Sequence, residues 1–168
     1  MNAAAHAFRF ERRPVARTLE FVAYCWPLDA AAFSGWPLEA GSVRRDAQQQ
    51  PSLLHFAAGR WLVADAGAEQ QQALLEAAAG NAAGVVVDVT GKWCGLELTG
   101  PGATALLAFS IDVAAVLDGR ECAAVTLMDC PAIVARSVAG YHLWVQASHV
   151  DHFLETAQQC GATLRREP

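Results

Sequence analysis

The clearest hydrophobic period lies near the C-terminus, where Val150, Phe153, Leu154 and Ala157 fall at i, i+3, i+4 and i+7. This stripe predicts an amphipathic helix with Ser148 as N-cap, Asp151 at N3 and Gly161 as its stop. Before it, "ECAAVTLM", "AIVARSV" and "YHLWVQA" read as three strands, joined at Asp129-Cys130-Pro131 and at Ala139-Gly140. Links that short require antiparallel neighbours. Further upstream, "LLHFAAGRWLVA" is two apolar runs around Ala58-Gly59, the pattern of a hairpin. "AEQQQALLEAAAG", rich in helix formers and closed by Gly80, predicts a helix. "GVVVDV" and "WCGLEL" are β-rich runs separated by Thr90-Gly91-Lys92, and a short helix after Gly102 finishes by Ser110.

From Leu53 the order is therefore β-β-α-β-β-α-β-β-β-α. Residues 51–168 are expected to form an α+β domain, mostly antiparallel, with helices packed on one face. Residues 1–50 read differently. Pro14, Pro27 and Pro37 interrupt them and the polar run "RRDAQQQP" ends them, so an irregular arm with one possible strand, "TLEFVAYCW", is expected.

Composition narrows the function classes. A chain of 168 residues suits one well-buried domain. Hydrophobic residues make up 54% and charged residues 17%, much of the apolar excess being alanine. Lys92 is the single lysine among arginines, a bias that interfaces share. The net charge of −5, without basic residues interleaved with aromatics, argues against a nucleic-acid partner. Neither a membrane-length apolar run nor a secretory h-region is found, so a cytoplasmic protein with no membrane partner is expected. Five scattered cysteines without a C-x-x-C pair fit reduced thiols.

Four groups of residues invite a chemical reading. Gly100, Gly102 and Ala105 satisfy G-x-G-x-x-A between a strand and a helix, as a dinucleotide site would. Such a site needs a parallel β-α-β unit, and Pro101 removes a backbone donor from the turn. The residues fit a structural corner better: Thr99 or Gly100 capping, Pro101 at the first helical position, and Ala103, Leu106 and Leu107 facing the core. Asp112 is a candidate acid, base or cation anchor and equally the N-cap of "VAAVL". His149 and His152 form H-x-x-H on the final helix, a spacing that permits a metal but lacks a third ligand at a recognisable distance. Cys122 and Cys130 fall on one hairpin with His142 on the adjoining strand, as a thiol and base would, or as small buried side chains would.

The ordered set of motifs resembles the gamma subunit of heterotetrameric sarcosine oxidase and, more distantly, the folate-binding aminomethyltransferase of the glycine cleavage system. The matching pieces are the Trp93 strand, "L-x-G-P-G-A-x-x-L-L" from Leu98 to Leu107, Asp112-Val113, "G-R-x-C-A" from Gly119 to Ala123, and "Y-x-L-W-V…S-x-x-x-x-F" from Tyr141 to Phe153. "PSLLHFAAGRWLV" from Pro51 to Val63 belongs to the same pattern, and Trp93, Gly100, Pro101, Gly102 and Ala103 are its structural signature.

The resemblance implies an aminomethyltransferase folate-binding-domain-like fold and a non-catalytic accessory subunit. Catalysis, the oxidative demethylation of sarcosine or a related N-methyl amine, would lie with partner subunits that hold FAD, FMN, NAD and tetrahydrofolate. It implies no cofactor and no catalytic residue in this chain. In the aminomethyltransferase branch an aspartate matching Asp112 takes part in folate chemistry. Here, however, "TLMDCPAIVARS" replaces that family's Asn-rich, Gly-Gly and double-Asp segment, and the further domains that wall a folate pocket are expected to be missing. The alternatives are a stand-alone folate-binding or one-carbon-transfer protein using Asp112, and an unrelated α+β binding module.

Overall fold

Alternating apolar residues build two five-stranded sheets in the computed structural model, which describes residues 7–14, 17–24, 35–47, 49–65, 67, 72, 74–76 and 84–164, the last three by backbone alone. The strands are β1 (Arg9–Arg12), β2 (Leu19–Ala23), β3 (Val43–Arg45), β4 (Pro51–Ala57), β5 (Arg60–Val63), β6 (Gly84–Asp88), β7 (Trp93–Thr99), β8 (Cys122–Leu127), β9 (Cys130–Arg136) and β10 (Gly140–Gln146). Helical residues 72 and 74–76 belong to α1, followed by α2 (Ala103–Leu107), α3 (Val113–Val116) and α4 (Val150–Leu164).

Two compact units divide the contacts, where the length suggested one core. The first comprises Met1–Pro14, Lys92–Gly119 and Ala124–Pro168, and the second Val15–Gly91 and Arg120–Ala123. In the first, the strand order is β1-β7-β10-β9-β8, with β10 antiparallel to both β7 and β9. α2 and α4 pack on one another and on β10. The predicted stripe is their seam: Val150, Phe153 and Ala157 of α4 are buried, as are Ala103, Leu106 and Leu107 of α2.

The second unit has the order β3-β4-β5-β2-β6, its described pairings antiparallel. Its core gathers Leu19, Phe21, Leu53, Trp61, Val63 and Leu74. Trp61 meets Phe21 at 5.5 Å and Trp36 at 5.7 Å between ring centroids, and its indole N–H donates to the Pro37 carbonyl at 2.9 Å, so this large ring is buried without an unmet donor.

The α+β class and the order from Leu53 onward agree with the sequence reading, α3 being one added turn. Three local expectations are corrected. Among the described residues, the first 50 positions hold β1, β2 and β3 where one strand was expected. α4 runs through Gly161 instead of stopping there: the residue keeps helical backbone and no left-handed φ, and its missing Cβ leaves room for the Phe8 ring. Ser148 sits in a 3-10 turn over Ala147–His149 ahead of the helix, its hydroxyl 2.9 Å from Nδ1 of His149. The expected helix end at Gly80 lies outside the described residues. Among those described, no helix is long and apolar enough to cross a membrane.

Candidate functional site

The glycine turn is built by contact with the chain before β1. Gly100 has φ +105, a left-handed conformation that glycine alone adopts freely, and a Cβ there would meet the Ala7 carbonyl oxygen at 2.6 Å. The Gly102 N–H donates to that carbonyl at 3.0 Å and the Ala103 N–H to the Gly100 carbonyl at 3.1 Å. The donors that a pyrophosphate would need are thus engaged, α2 has five residues, and the sheet is antiparallel. The turn does not fit a dinucleotide. One detail differs from expectation: the N-cap is Gly102, with no side-chain cap, and Pro101 lies in the turn before it.

Asp112 is exposed and caps α3, its Oδ1 accepting from the Ala115 N–H at 3.1 Å. His149 belongs to the 3-10 turn and His152 to α4, both exposed. No group of three or more His, Cys, Asp or Glu side chains among the described residues is placed to hold a metal ion.

The thiols do not meet. Cys122 opens β8 and Cys130 follows the β8–β9 turn, so they occupy opposite ends of the hairpin. The Cys122 thiol points at the Ser42 and His55 carbonyls, at 3.6 and 3.7 Å. Burial, with Glu121 beside it, pushes that thiol up to about 12, far from a thiolate nucleophile at neutral pH. Burial also raises Cys130, whose S–H reaches the Met128 carbonyl at 3.3 Å. His142 is buried in β10, across from Glu97 on β7 and Ala135 on β9. Trp93, from the structural signature, opens β7 with the Lys92 ammonium 5.1 Å above its ring.

Two features escaped the sequence reading. A cavity of about 380 Å³ opens in the first unit between the end of α2, the β8–β9 turn and α4, lined among others by Phe109, Thr126, Asp129 and Cys160. Its floor is a two-residue turn, Met128-Asp129, with φ of 49° and 63°, held by a 2.8 Å bond from the Met128 N–H to the Ser110 hydroxyl. The sequence expectation put this junction at Asp129-Cys130-Pro131, and Cys130 and Pro131 are instead the first residues of β9. The second feature is a buried acid, Glu20 on β2, paired with Arg60 of β5, whose guanidinium also lies 5.3 Å over the Phe56 ring.

Comparison with known proteins gives a likeness of fold. No family model matches the chain, and no curated protein matches it. Among solved structures, a chain of the heterotetrameric sarcosine oxidase from Corynebacterium sp. U-96, in complex with pyrrole 2-carboxylate, aligns at a TM-score of 0.78 and 20% identity, covering 98% of this chain and 88% of that one. A Vibrio cholerae protein of unknown function, described as a possible transport protein, aligns at 19% identity over 95% and 94% of the two chains, but its TM-score of 0.37 carries no argument. The α+β architecture of two antiparallel sheets is therefore one shared, nearly end to end, with a chain of a heterotetrameric sarcosine oxidase.

Proposed function

We propose that this chain is an accessory, non-catalytic subunit of a sarcosine oxidase-like flavoenzyme complex, corresponding to its gamma subunit. In this reading FAD, FMN, NAD and tetrahydrofolate are held by partner subunits. Those subunits carry out the oxidative demethylation of sarcosine or a related N-methyl amine, and this chain has the folate-binding-domain-like fold without the folate. One observation carries the proposal: the match to a sarcosine oxidase chain spans nearly the whole of both chains. Had a shared supersecondary motif been the cause, most of each chain would remain uncovered.

Three of the candidates give support of a different kind, since each has a structural task. The glycine turn accommodates Ala7, Asp112 caps a helix, and the Cys122 thiol is buried against two carbonyls. Apolar side chains that stand in solvent, Val138 at 95% exposure on the β9–β10 hairpin tip and Phe109 at 48%, are where a partner surface is expected.

Isolation of the chain from its native cells tests this reading. The expected result is a stoichiometric complex with flavin absorbance that sarcosine or another N-methyl amine bleaches. Recovery of the chain free of flavoprotein, from cells that do oxidise such amines, would overturn it.

A further inference from the structure

The two sheets end in four edge strands, and they are not alike. β1 presents Arg9, Glu11 and Arg12, and β3 carries Arg44 and Arg45 with a register shift between them, both common protections against unwanted pairing. β8 exposes only the small or polar Ala124 and Thr126. β6, "GVVVD", exposes Val85 and Val87 at 38% and 42%, and no strand among the described residues pairs with its outer side.

The ladder on the inner side fixes which backbone groups face outward. β6 pairs antiparallel with β2, Phe21 opposite Val86, and the Val89 N–H donates to the Thr18 carbonyl at 2.9 Å. Because direction alternates along a strand, the odd-numbered residues turn their N–H and C=O groups toward β2, and Gly84, Val86 and Asp88 turn theirs outward. Side chains alternate as well. Val86 packs on the Phe21–Trp61 core and is only partly buried, while Val85 and Val87 share the opposite face.

We propose that the outer edge of β6 pairs antiparallel with β6 of a second copy of this chain, about a two-fold axis through Val86. This register sets Val86 against its symmetry mate, Val85 against Val87 and Gly84 against Asp88. The outward backbone groups of Gly84, Val86 and Asp88 then exchange hydrogen bonds with those of the second copy, the exposed valines form a cross-strand cluster, and no like charges face each other. Asp88 is already engaged within its own copy, by the Thr90 N–H at 2.9 Å and by Arg17 at 3.4 Å. Asp88 therefore adds no unpaired charge to the seam. A five-residue ladder buries less than the roughly 1,200–2,000 Å² of a standard stable interface. A weak dimer, dissociating on the order of micromolar, is expected.

Sedimentation equilibrium of the isolated full chain across a concentration series tests this independently of any flavoenzyme partner, so its failure would leave the proposed function standing. The expected result is a monomer–dimer equilibrium that V85K or V87K weakens at least about tenfold with an unchanged melting temperature. Val85 faces Val87 of the other copy, so mixing the double lysine variant with V85E/V87E should restore a mixed dimer. A chain that stays monomeric at the highest concentrations, or a dimer indifferent to these variants, would overturn the proposal.

Discussion

A carboxylate that caps a helix and one that moves a proton respond differently to an amide in its place. Asp112 accepts from the Ala115 N–H, and asparagine caps as well as aspartate does. Asp112→Ala is therefore expected to lower unfolding stability by about 1 kcal/mol in urea titrations, and Asp112→Asn to leave it within about 0.5 kcal/mol. If Asp112→Asn instead abolished an activity of the complex at unchanged stability, the residue would belong to the chemistry. His55 gives a pH signature. It is buried and stacked 4.1 Å from the Trp61 ring, and burial outweighs nearby carbonyls to hold its pKa below the ordinary 6.5. Below that pH the unfolded chain takes up a proton that the folded one resists, so stability is expected to fall as pH drops from 6.5 toward the folded value. Urea midpoints measured through this window should decline more in the natural chain than in His55→Gln. For Cys122 the sign is opposite. Its raised pKa keeps the thiol protonated, and labelling near pH 8 should be far slower in the folded chain than in urea. The cap at Asp112 was legible in the sequence, whereas the partners of His55 and Cys122 were not. The sequence marks a cysteine or histidine in an apolar run, while its partner carbonyls arrive from residues 67 and 80 positions away.

At the scale of elements, order was legible wherever an apolar period was strong. The α4 stripe and the β4–β5 hairpin around Gly59 appear where the pattern puts them, and β8, β9 and β10 follow in the expected order with the first turn moved back to Met128-Asp129. β1 and β3 were hidden for a physical reason. "RFER" has one apolar residue and "VRR" is three residues long, so neither shows an alternation, yet each extends a sheet edge. Glu20 was equally opaque: an acid inside "TLEFVAY" reads as solvent-facing until Arg60, 40 residues on, is seen against it. The position of β1 makes its removal costly. Phe8 fills the gap at Gly161 and Phe10 meets Phe153 edge-on at 5.6 Å. Deleting residues 1–12 is expected to uncover Phe153 and destabilise the first unit by about 2–4 kcal/mol, since the two aromatics lost, Phe8 and Phe10, are half-buried, as followed by thermal unfolding. An unchanged melting temperature would show the segment to be the dispensable arm its composition suggests. Gly161→Ala should point the same way, its methyl displacing the Phe8 ring at a cost of about 1–3 kcal/mol.

For the whole molecule, an apolar chain of net charge −5 shows a solvent-standing valine at a hairpin tip and shares its fold with one chain of a heterotetramer. The sequence motifs that carried the resemblance are, in the structure, a corner, a cap and core positions. They identify a fold well and a reaction poorly, which is why the site reading rested on the partners. If the β9–β10 tip meets a partner, Val138→Asp should weaken the assembly in pull-down titrations while leaving the chain's own unfolding unchanged, since Val138 is 95% exposed. The most direct test of the central claim is the native mass of the assembly purified through this chain from its own cells. An accessory subunit should give one mass in which this chain sits in stoichiometric amount with flavin-bearing chains of larger size. A mass accounted for by copies of this chain alone, in cells where a sarcosine-oxidising flavoprotein is present, would contradict it.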